Sequence, residues 1–92
     1  MQKLEYSSQG REGYVVYKDE ISTLKFYYEF GGGNCVAIIS VPAASKWESQ
    51  TKRPVSEREI ILKFVAEQAT KDQAKDGYYE LEEACIEIFA KS

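Results

Sequence analysis

Between Ile21 and Phe30, apolar and polar side chains alternate. Leu24, Phe26, Tyr28 and Phe30 fall on one side, and Thr23, Lys25, Tyr27 and Glu29 on the other. Period-two alternation of that length describes a β-strand with one face buried and one face wet. One strand cannot cover its own apolar face, so the rest of the chain must supply neighbouring strands and a lid. With 92 residues there is material for one domain, residues 1–92, and one core.

The flanking segments supply the strands. Lys3 to Ser7 alternates Leu4 and Tyr6 with Lys3 and Glu5. The polar stretch Ser7 to Gly13, with glycines at both Gly10 and Gly13, reads as a loop before the β-branched and aromatic run Tyr14 to Tyr17. Gly31, Gly32, Gly33 and Asn34 turn the chain after Phe30. Cys35 to Val41 is then apolar on both sides, the mark of a strand that is central or covered twice. Short connections between successive strands make an antiparallel meander.

After Pro42 the pattern becomes helical. Ala43 to Gln50 is expected to form a short helix, with capping-box spacing at Ser45 and Glu48 or a start at Pro42. A longer helix is expected from Ser56 to about Lys75. Ser56 and Glu59 have capping-box spacing, Val55 and Ile60 the spacing of a hydrophobic staple, and Ile60, Ile61, Phe64, Val65 and Ala69 one apolar stripe containing Gln68. The tail fits two patterns. Leu81, Ala84, Cys85, Ile88 and Phe89 have helical spacing, whereas Ile86 and Ile88 flank Glu87 as in a strand. A strand over Cys85 to Phe89 is favoured, because it would cover a sheet edge. The expected fold is α+β: an antiparallel meander of four to five strands, one short and one long helix, and a C-terminal strand.

Composition excludes several chemistries. There is no His, which removes the usual neutral-pH base, the Ser-His and Cys-His nucleophile pairs and the commonest metal ligand. The net charge of −3 opposes nucleic-acid binding. No apolar run is long enough for a membrane span, and Met1 to Ser8 has no signal-peptide pattern. Cys35 and Cys85 form no C-x-x-C and read as reduced, buried thiols of a cytoplasmic protein. No cofactor motif or calcium loop is present, so neither a cofactor nor a metal is expected. Asp76, Glu80, Glu82, Glu83 and Glu87 read as a solvated acidic face, and Gly31 to Gly33 as a hairpin turn rather than a phosphate loop.

Two segments invite a binding role. Lys52, Arg53, Ser56 and Arg58 place bases at the start of a helix, where unpaired N–H groups favour an anion or small ligand. The second feature is aromatic: the chain holds 7 Tyr and 1 Trp. Tyr27 lies opposite the apolar stripe of its strand. With Tyr14, Tyr17 and Trp47 it is expected to form a contact surface for a protein partner or a second copy of the chain. A non-enzymatic interaction module is therefore the leading expectation, with a ligand-binding domain, conceivably an enzyme, at Lys52 to Arg58 as the alternative.

Overall fold

A computed structural model describes residues 1–10 and 12–91. The chain runs β1 (Lys3–Gln9), β2 (Glu12–Lys18), β3 (Thr23–Phe30), β4 (Cys35–Ser40), α1 (Ala44–Thr51), α2 (Arg58–Gln73), β5 (Tyr78–Leu81) and β6 (Cys85–Phe89). One sheet holds all six strands in the order β1-β2-β3-β4-β6-β5. Every neighbouring pair is antiparallel. The α+β fold, the meander and the C-terminal strand are as expected. The additional strand is β5, which pairs with β6 as a hairpin and takes the sheet edge. The first hairpin also extends into the expected loop, to Gln9 and from Glu12, with Gly13 inside β2. A Cβ on Gly13 would collide with the Ser7 carbonyl oxygen. Arg11, in the same expected loop, lies outside the described residues. At the β3–β4 turn, Gly33 takes a positive φ of 59°, which glycine adopts without steric cost.

Alternation sorts the sheet into two faces. Val15, Tyr17, Leu24, Phe26, Tyr28, Ala37, Ile39, Ile86 and Ile88 are buried in the core. Helix α2 closes that core with Ile61, Leu62, Val65, Ala66 and Ala69. Spacings of three and four keep these residues on one stripe. Phe64 borders the stripe and meets Tyr17 edge-on at 5.9 Å between ring centroids. The buried stripe is rotated from the expected one: Leu62 and Ala66 are inside, whereas Ile60 is 66% exposed. Gln68 lies at the margin and donates to the Asp72 carboxylate at 3.1 Å. Phe30 belongs to the inner side by parity, yet it sits at the strand's end, beyond the helical cover, and is exposed.

The helix starts also differ from expectation. A 3-10 turn, Val55–Glu57, leads into α2, and Ser56 makes no side-chain cap. The turn closes through the Glu57 N–H and the Pro54 carbonyl at 3.0 Å. Glu48 does not cap α1; its carboxylate accepts the Val55 N–H at 2.9 Å. Val55 and Ile60, the expected staple, are both exposed.

Candidate functional site

The basic segment after α1 turns inward. Lys52 ends α1 in the left-handed conformation, φ 64°, which redirects the chain and buries Arg53 to 5% exposure. The Arg53 guanidinium grips Asp19 with Nη1 and Nη2, each at 3.0 Å. Nη1 also reaches Ser22 Oγ at 3.1 Å, and Nε donates to Glu57 at 2.9 Å. A planar fork against a carboxylate is the geometry that makes Arg pairing strong. Asp19 in turn accepts the Ile21 and Ser22 N–H groups at 2.9 and 3.1 Å and the Tyr17 hydroxyl at 2.9 Å. The Arg53 guanidinium above all, with these N–H groups, holds the Asp19 carboxyl well below the usual carboxylate range.

Arg58 is likewise engaged, donating to the carbonyls of Pro42 at 3.1 Å and Glu83 at 2.8 Å. Ser56 and Lys52 are exposed. The four residues of the expected anion site therefore do not converge: the two guanidiniums tie the segment to the β2–β3 turn and to the β5–β6 loop. The recess beside Arg53, about 330 Å³, is also lined by Asp19, Glu20 and Glu57, which is the wrong sign for an anion.

The expected aromatic surface divides in two. Tyr17 and Trp47 are 1% and 0% exposed and belong to the core. This corrects their assignment to a contact surface. Residues 14 and 17 have opposite parity on one strand and so point to opposite faces. Trp47 is drawn inside by the apolar body of its ring, and its indole N–H is satisfied by the Pro54 carbonyl at 3.1 Å. Tyr14 and Tyr27 remain, 44% and 37% exposed. They are directly opposite on β2 and β3 and meet edge-on at 6.2 Å between ring centroids. The Tyr27 hydroxyl donates to Glu12 at 3.0 Å, and that hydrogen bond raises the phenol's pKa. The Lys25 ammonium sits 5.1 Å from the centre of the Tyr14 ring, within cation–π range. Two recesses of about 350 and 500 Å³ adjoin this patch. Lys46 and Gln50 of α1 form part of the rim of the larger.

The remaining chemistry is sparse. Cys35 and Cys85 are free thiols, and burial above all pushes both pKa values up, away from the reactive thiolate. Glu80, Glu82 and Glu87 bring carboxylate oxygens within 4.8 Å of one another at the β5–β6 hairpin. Among the described residues they form an acidic group with no His or Cys donor completing it. Among the described residues no helix is long and apolar enough to cross a membrane. No protein-family model matches this sequence, and no curated protein or solved structure is significantly similar to it.

Proposed function

We propose that this chain is a small non-enzymatic interaction module that meets a protein partner through the sheet face bearing Tyr14 and Tyr27. One observation carries the reading. Helix α2 packs on the face of Tyr17, Phe26 and Ile88, and the opposite face of β2 and β3 presents two paired tyrosines to solvent. Tyrosine joins a large apolar body to a hydrogen-bonding tip, which suits a surface that is wet when free and dry when bound. Thr23, Lys25 and Glu29 are exposed on the same face, so the contact is mixed in character.

Site-specific crosslinking in cells tests it. A photoreactive phenylalanine at position 27 is expected to give a discrete covalent adduct on illumination. The same group at position 63, on the exposed side of α2, is expected to give none. Equal labelling from both positions, or none from position 27, would remove the open face as a binding surface.

A further inference from the structure

The open face of β3 is symmetric about Tyr27 in a way that specifies a partner. Lys25 lies two residues before Tyr27 and Glu29 two residues after it. All three project from the same side of the strand and all are exposed. At a strand rise of about 3.4 Å per residue, the ammonium-bearing and carboxylate-bearing positions stand roughly 6.8 Å on either side of the ring. The cross-strand row through Tyr27 continues into Tyr14 and then Ser7. A two-fold axis along that row superposes the row on itself and reverses the strands.

We propose that the partner is a second copy of this chain, packed face to face about an axis along the Ser7–Tyr14–Tyr27 row. The inference rests on the interaction reading above. In that arrangement Lys25 of each copy lies over Glu29 of the other, giving two equivalent ion pairs, and the tyrosines meet their own counterparts across the axis. Isologous contacts require this kind of self-complementary surface. Face-packed sheets are turned by about 30°, which displaces positions two residues from the axis by roughly 3.5 Å, a shift that the flexible lysine stem spans.

A second feature favours the same arrangement. Glu29 is directly opposite Glu12 in the β2–β3 register, and like charges so placed repel. Glu12 is partly compensated by the Tyr27 hydroxyl. Glu29 has no ion pair with any described residue. Lys25 is also free of carboxylate partners among the described residues and rests on the Tyr14 ring. The pairing that each charge lacks among the described residues is the one the second copy offers.

Charge exchange tests both the occupant and the register. Sedimentation velocity should show the wild type as a dimer at high micromolar concentration. Lys25→Glu and Glu29→Lys should each weaken dimerisation at least tenfold while leaving the circular dichroism spectrum unchanged. An equimolar mixture of the two variants, one labelled with ¹⁵N, should restore a dimer that native mass spectrometry identifies as mixed. The double variant Lys25→Glu/Glu29→Lys should self-associate again. A wild type that stays monomeric at 1 mM, single variants that remain dimeric, or a mixture that does not re-form the dimer would each overturn the inference. A position-27 adduct whose mass is not twice that of the chain would overturn it too, yet leave the interaction reading standing.

Discussion

Tyr14 and Tyr17 stand on the same strand and carry the same side chain, yet they have opposite fates. Tyr17 is 1% exposed, packed on Phe64, with its hydroxyl held between Gln2 and Asp19. Tyr14 is 44% exposed, with Tyr27 at its edge and Lys25 over its face. Each tyrosine has a cation close by. Beneath Tyr17 it is Arg53, buried and locked to Asp19. Beside Tyr14 it is Lys25, which has no carboxylate partner among the described residues. Charges on the covered face are satisfied inside the chain and stabilise it. On the open face, Glu5 pairs with Lys3 and Lys18, whereas Lys25 beside the tyrosines is left with capacity for an outside partner.

The largest effect should come from the covered face. Tyr17→Ala removes a ring that fills the space between β2 and α2. It should destabilise the protein by about 3–5 kcal/mol, as loss of a large core aromatic does elsewhere, which is a large share of the stability of a domain of this size. Thermal melting checks it, and an unchanged midpoint would mean that the core does not depend on the Tyr17–Phe64 contact.

The Arg53–Asp19 pair should come next. Arg53→Ala leaves Asp19 poorly solvated without its fork and should cost about 3 kcal/mol. In an Asp19→Ala background the same change should cost far less, because the two side chains act as one unit. The pair also sets an acid limit. The Asp19 carboxyl titrates below its unfolded value of about 3.9. Its contribution is therefore complete above that pH and fades as pH falls toward the folded value. Urea melts of the wild type should lose stability below about pH 4 more steeply than those of Asp19→Asn. Parallel curves would show that the pair adds nothing to acid stability.

The smallest effect on stability should lie on the open face. Tyr14→Ala removes an exposed edge-to-face pair and a cation–π contact, together worth about 1–2 kcal/mol. A loss as large as that of Tyr17→Ala would erase the distinction between the faces and make Tyr14 part of the core.

The alternation from Leu24 to Tyr28 was sufficient by itself to specify a strand with a buried and a wet side, because a side-chain period of two leaves no other assignment. The glycine turn and the helical segment after Ser56 were equally local matters of periodicity and backbone freedom, whereas the strand at Cys85 was not, because the tail has helical spacing as well and only the need to cover a sheet edge favoured the strand. The amino-acid order also contained the separation of Tyr14 from Tyr17: parity along one strand puts them on opposite faces, a signal that was legible in the residue numbers alone. It likewise contained the Lys25, Tyr27, Glu29 spacing.

Tertiary structure decided the rest. Arg53 looked like a free base at a helix start because its partner, Asp19, is 34 residues away. Only docking of the segment after α1 against the β2–β3 turn joins them. The Ser56 cap gave way to a 3-10 turn, since that docking sets the angle at which the chain enters α2. Rotation of α2 by part of a turn put Leu62 inside and Ile60 outside, because both residues are apolar and only the shape of the opposing sheet chooses between them. Which face of the sheet stayed open was settled in the same way. An amphipathic strand dictates that one side must be covered, and the path of the helix determines what remains exposed on the other.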